Sequence, residues 1–198
     1  MTTSAQSAGP EPIQQVPLTS ILTDAACQAR VKIRPSVVRD YRRAMAEQIR
    51  EGGLRFPPIV LFTDGLHYWL ADGFHRILAA RDAGLSEFPA DVRPGTERDA
   101  LLFSISSNGA HGLPRTNADK RKAVTLLLAD AEWSQWSDIE IARRCQVSQL
   151  FVTRLRRSAS YLGDKMGPRR VKRGAYEMRA RKNGSQTPAR GDGRRCRP

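Results

Sequence analysis

Residues 70–80 read LADGFHRILAA, and the fold turns on them. An apolar run stops at Asp72-Gly73. Beyond Gly73 the apolar positions Ile77, Leu78, Ala80 and Ala83 fall on one helical face, closed by Gly84. A strand therefore runs into a helix through a glycine, which lets the backbone turn sharply. The first helical N–H groups then point outward, where they and the helix dipole attract an anion. Arg76 could add a bidentate pair to a phosphate, and His75 a hydrogen bond. The plainer alternative is a well-formed helix start with no ligand, and the stretch alone leaves both open.

Upstream, PPIVLF (57–62) reads as a buried strand, TDG (63–65) as a hairpin turn and HYWLA (67–71) as the returning strand. His67 is read as structural or solvent-facing. Earlier still, SVVRDYRRAMAEQIREGG (36–53) sets Val37, Tyr41, Ala44, Met45 and Ile49 at helical spacing. Pro35 suits the entry of that helix and Gly52-Gly53 its end. VPLTSIL (16–22) is a short strand leading into a turn.

Downstream, FPADVRPG (88–95) is a further strand, and Thr96 with Asp99 resembles a capping box opening the helix ERDALLFSISSN (97–108). A second polar cluster, SSNGAHGLPRT (106–116), holds Asn108, His111 and Arg115 among two glycines. It extends the phosphate reading; the alternative makes Asn108-Gly109 a helix C-cap and His111 a linker residue. Strands this short and few do not build a large parallel sheet. The expectation is a small α+β domain over 16–115, preceded by a disordered N-terminus, 1–15, rich in Ser, Gly, Pro and Gln.

Near residue 115 the pattern becomes helical throughout. Thr116 with Asp119 offers a cap for ADKRKAVTLLLADAEW (118–133), and Ser137 with Glu140 offers another. DIEIARRCQVSQLFVTRLRR (138–157) then has the inward pattern of a helix-turn-helix: Ile141, Ala142 and Cys145, Val147 in the turn, and Val152 and Leu155. Ala142 is the close-contact position, and Gln146 stands where Gly usually supplies a positive φ. The outward positions are Ser148, Gln149, Leu150, Thr153, Arg154 and Arg157. Gln can pair with adenine and Arg with guanine in the major groove, while Arg156 and Arg157 are expected at phosphates. The competing reading is a helical hairpin with a solvated basic face. An all-α helix-turn-helix domain is placed at 116–163 and a basic, mostly disordered tail at 164–198.

The chain has 198 residues and a formal net charge of +13. After Asp164 there are twelve Lys/Arg against Glu177 and Asp192, so most of the excess lies in the tail. Such a segment buries too little apolar surface to fold alone and is drawn to polyanions by counterion release. No apolar run approaches the ~20 residues of a membrane span, so no membrane partner is expected. The first residues carry no secretory pattern. Cys27, Cys145 and Cys196 are far apart, with neither metal nor disulfide spacing. A cytoplasmic protein is the expectation.

The order VPLTSI, Gln28-Ala29-Arg30, PPIVLF, DGLHYWLADGFHRILAA and an Asn-containing segment ahead of a helix-turn-helix resembles the ParB N-terminal, sulfiredoxin-like fold over residues 16–157. The resemblance implies centromere-type DNA binding and an N-terminal domain that takes CTP, or ATP, with Mg²⁺. Of the partition proteins' Gly-Glu-Arg-Arg, Gly73 and Arg76 match. Of the sulfiredoxins' Gly-Cys-His-Arg, Gly73, His75 and Arg76 match, but Phe74 replaces the reactive cysteine, which excludes sulfinic acid repair. Of Glu-Asn-x-x-Arg, Asn108 remains, with Ser107 and His111 in place of the carboxylate and the arginine. The nucleotide and phosphate set is thus Gly73, His75, Arg76, Asn108 and His111. Residues 158–198 show no heptad repeat, so a clamp closed by C-terminal dimers is not expected, although a homodimer on DNA is.

The function expected is that of a ParB-like protein reading double-stranded DNA, in partition or transcriptional regulation, with a nucleotide as modulator. The alternative is a ParB-like nuclease or NTPase, with Asp72 or Asp64 holding a metal. An RNA-binding regulator is a third reading. No residue is assigned a catalytic role, and no metal-ligating set is assigned.

Overall fold

A computed structural model describes residues 12–23, 31–107, 114–161, 170–173 and 176–179. Strand β1 (Gln14–Pro17), a 3-10 turn (Leu18–Ser20) and β2 (Ile21–Leu22) precede helix α1 (Pro35–Arg50). The hairpin β3 (Ile59–Thr63) and β4 (Tyr68–Asp72) leads into α2 (Phe74–Asp82), then β5 (Glu87–Pro94) and α3 (Glu97–Ser107). The five strands lie in the order β1-β5-β3-β4-β2. β3 is antiparallel to β4 and parallel to β5, while β1 is antiparallel to β5 and β2 parallel to β4. This is the mixed α+β fold the sequence predicts.

Both faces of the β3–β4 hairpin are covered, which is why its sequence is a nearly unbroken apolar run. Ile59, Leu61 and Leu70 are buried with Met45 of α1 and Ile77 of α2, and Phe88 of β5 joins them. On the opposite face Val60, Phe62 and Trp69 pack with Ala100 and Phe103 of α3. Each large side chain buried in this way contributes about 1.5–3 kcal/mol.

The helical part comprises α4 (Asn117–Ala129), a 3-10 turn (Trp133–Gln135), α5 (Asp138–Cys145) and α6 (Gln149–Tyr161). Its core is Val124, Leu127, Trp133, Ile141, Cys145 and Val152, joined by Ile105 from α3. Helix α3 therefore packs on the sheet through Ala100 and Phe103 and in the helical core through Ile105. The boundary expected at 115 falls after a helix that belongs to both cores.

Within the segment expected to be a flexible tail, β6 (Arg170–Arg173) and β7 (Tyr176–Arg179) pair antiparallel, Val171 opposite Met178 and Lys172 opposite Glu177. Among the described residues, no helix is long and apolar enough to cross a membrane.

Candidate functional site

Gly73 stands at the helix start in the left-handed region, with φ 106° and ψ 21°. A Cβ there would lie 2.5 Å from Ile59 Cγ2, so the turn admits glycine for its backbone angles and for its packing against β3. Helix α2 has no capping side chain and no acidic residue in its first turn. Its first N–H groups, which have no acceptor within the helix, are therefore not claimed by a cap.

The two side chains expected to add phosphate contacts point elsewhere. Arg76 donates to the carbonyls of Pro57 and Pro58, each at 2.7 Å, and pairs with Asp72 Oδ2 at 2.7 Å. The guanidinium thus fastens α2 to the strand entry and neutralises Asp72. His75 is buried, and its Nε2 accepts the Arg34 N–H at 3.1 Å, tying α2 to the first residue before α1. Asn108 and His111 lie outside the described residues.

The carboxylates considered for a metal are also engaged. Asp64 accepts the N–H groups of Leu66 and His67, and these bonds hold its pKa down at about 2. His67 Nδ1 lies 3.3 Å from the same carboxylate. Among the described residues no three His, Cys, Asp or Glu side chains cluster as metal ligands. Asp72 is paired with Arg76, and Asp64 closes the turn before β4.

Helices α5 and α6 and the turn between them are set by local hydrogen bonds. Ser137 Oγ accepts the Glu140 N–H at 3.1 Å and starts α5. Gln146 ends it with φ 54° and ψ 50°, the positive angle otherwise given to glycine, and its Nε2 donates to Ser106 O. Ser148 Oγ accepts the Phe151 N–H at the start of α6. Ala142, Cys145 and Val152 are buried between the helices.

Of the outward residues, Ser148, Gln149, Leu150, Arg154 and Arg157 are exposed. Leu150 is an apolar group 56% exposed. Thr153 is half-buried; its hydroxyl donates to Asp138 Oδ2 at 2.7 Å. Arg156 departs most from expectation. Its Nε pairs with Asp138 at 2.8 Å and its other nitrogens donate to Ser134 O and Trp136 O, so it braces α6 against the start of α5. On α5, Arg143 and Arg144 both bond Glu140, whose carboxyl they hold at about 2, and Arg144 also lies over the Trp136 ring.

Two further struts join the helical part to what precedes it. Asp119, half of the Thr116 capping box, also accepts the Val31 N–H at 2.8 Å. Arg115, expected beside Asn108 and His111, donates to the carbonyls of Ser104, Ile105 and Cys145, the last turns of α3 and α5. The sequence predicts Asp119 only as a helix cap and assigns Asp138 no role; no local signal marks their distant partners.

The profile of the ParB N-terminal domain matches residues 2–109. The transcriptional regulator NovG of Streptomyces niveus is 30% identical over 128 residues, covering 65% of this chain and 38% of that protein. The chromosome-partitioning protein Spo0J of Thermus thermophilus is 36% identical over 75 residues, covering 38% of this chain and 28% of that protein. The chain thus spans well under half the length of these relatives. A crystal structure of C-terminally truncated ParB from Caulobacter crescentus, complexed to the centromeric parS site, superposes with a TM-score of 0.47 at 18% identity, over 75% of this chain and 76% of that one.

Proposed function

Because this chain belongs to the ParB N-terminal domain family, we propose that it binds duplex DNA and reads sequence with α6, as a partition protein or transcriptional regulator. One observation carries the reading. The inward side of α5–turn–α6 is closed by Ala142, Cys145 and Val152, while Gln149, Leu150 and Arg154 project from the first turns of α6, and Arg157 from its later part, with no core to fill. A polar and basic N-terminal half on the second helix of such a pair is the surface that enters a major groove. In this reading Gln149, Leu150 and Arg154 meet bases, with Ser148 and Thr153 at their flank, and Arg157 meets a phosphate. Arg156 is left out of the contact set because its donors are engaged within the domain. The relatives named for regulation and for partition both suit a protein whose first act is to find a DNA site.

A nucleotide at the Gly73 turn is a second reading, favoured by the uncapped start of α2. The backbone N–H groups would receive a phosphate of CTP or ATP, with Gly73 leaving room for its approach. Asn108 and His111 would complete the site, and His75 and Arg76 would hold the turn in shape rather than touch the anion. Nuclease or NTPase activity has no residue assigned to it.

Selection of bound duplexes from a random pool, with and without CTP or ATP and Mg²⁺, tests both readings. An enriched motif is expected, and Gln149→Ala and Arg154→Ala each relax preference at one base pair by about 1–3 kcal/mol. Deleting 164–198 weakens all sequences about equally. A pool that yields no motif would overturn the readout. Cleavage of plasmid DNA or release of phosphate in the same mixtures would restore the enzyme alternative.

A further inference from the structure

Arg39, Arg42, Arg43 and Arg50 of α1, with Asp40 and Asp82, line an open groove of about 620 Å³ between α1 and the C-terminal end of α2. All four arginines are exposed. Many of the other arginines come with an acid: Arg76 with Asp72, Arg93 with Asp91, Arg98 with Asp130, Arg144 with Glu140, and Arg156 with Asp138. Among the described residues, Arg39, Arg42 and Arg43 enter no ion pair, and Arg50 donates only to its own helix, at Ala46 O.

The arrangement works against the helix that carries it. Like charges three and four residues apart repel on a helical surface, and Arg39, Arg42 and Arg43 have that spacing. An anionic partner would relieve that repulsion.

We infer that this ridge is a second DNA contact, binding phosphates of the duplex backbone apart from the recognition helix; the inference rests on the DNA-binding reading above. The shape decides the class of ligand. From Arg39 to Arg50 the ridge is about 16 Å long at ~1.5 Å per residue, more than one compact anion uses and enough to follow successive phosphates. Guanidinium groups grip phosphate oxygens in pairs, whereas a lysine supplies only a point charge. Asp82, at the α2 side, repels phosphate from the groove's far wall, so contact falls on the α1 arginines, Arg39 to Arg50, which outnumber Asp40 on the same helix. None of these side chains reads a base, and the ridge adds affinity without preference.

The test uses the full chain with Arg39→Gln, Arg42→Gln and Arg43→Gln combined, titrated into a selected duplex and a scrambled one over a range of salt. The slope of log affinity on log salt should become shallower by about 0.9 for each phosphate that is no longer neutralised. Both duplexes should weaken by the same factor, and the Lys triple variant should recover the slope, since the slope follows charge. An unchanged thermal melt shows that the fold is intact. An unchanged slope and affinity overturn the inference, as does a change in sequence preference. If Gln149→Ala relaxes preference while the α1 triple variant is inert, only the second DNA surface falls. If the wild-type chain binds no duplex, the DNA reading itself falls and takes this one with it.

Discussion

Adjacent arginines on α6 should behave as different kinds of residue, and Arg156→Ala is the perturbation that shows it. The guanidinium is mostly buried, 16% exposed, and Asp138 opposite it is 17% exposed. Truncation removes a charge-assisted bond to Asp138 and two bonds to the Ser134 and Trp136 carbonyls. Asp138 keeps its bond from Thr153, so the carboxylate is weakened in support rather than stranded. Hydrogen bonds to charged groups are worth about 1.5–3 kcal/mol each, and the freed carbonyls can recover water. A net loss of about 2–3 kcal/mol is expected, below the roughly 3–5 kcal/mol of a fully buried broken pair. In a chain of this size that lowers the melting temperature by roughly 4–12 °C. Urea and thermal unfolding followed by circular dichroism measure it, alongside DNA titration at several salt concentrations under conditions where the variant is folded. Arg157→Ala should do the reverse, changing stability by less than about 0.5 kcal/mol and the salt slope by about one phosphate. If Arg156→Ala leaves stability untouched and flattens the salt slope, the strut assignment is wrong.

Two other outcomes follow from single residues. Gly73→Ala puts a Cβ 2.5 Å from Ile59 at a φ of 106°, and a loss of about 2–4 kcal/mol in urea unfolding is expected from backbone strain and overpacking together. The Cys145 thiol is pushed up to about 11 by burial, against a small opposing effect of Arg115. Since its folded value exceeds the unfolded one, the stability it contributes is full below about pH 9 and is lost as pH rises toward 11. With Cys27 and Cys196 replaced by Ser, the folded chain should resist thiol reagents at about pH 7.5 and react only on unfolding, because the thiolate is the reactive form; prompt labelling would contradict the burial.

The predicted elements were legible wherever a signal and its consequence lie within one or two turns of chain. Thr96 with Asp99, Thr116 with Asp119 and Ser137 with Glu140 each start a helix in the structure. Gln146 takes the left-handed angle even though it is not glycine, because the helix crossing demands that turn. Within the basic tail, the described residues form only the short β6–β7 hairpin. For the candidate site, the Gly73 turn was readable from the change of period, but the directions of His75 and Arg76 were not.

What the sequence by itself determined is therefore the set of elements, their caps, the special place of Gly73 and the split between the inward and outward sides of α5 and α6. These depend on backbone angles and on periodic burial, which neighbours along the chain impose. Only the tertiary structure decided which arginines are available to an anion. Arg156 is held by Asp138, eighteen residues away, and Arg76 by the Pro57 and Pro58 carbonyls, while Arg39, Arg42 and Arg43 pair with no acid among the described residues. A guanidinium is the same donor in every case; whether it braces the fold or faces outward depends on the acceptors that folding brings to it, and those come from distant chain.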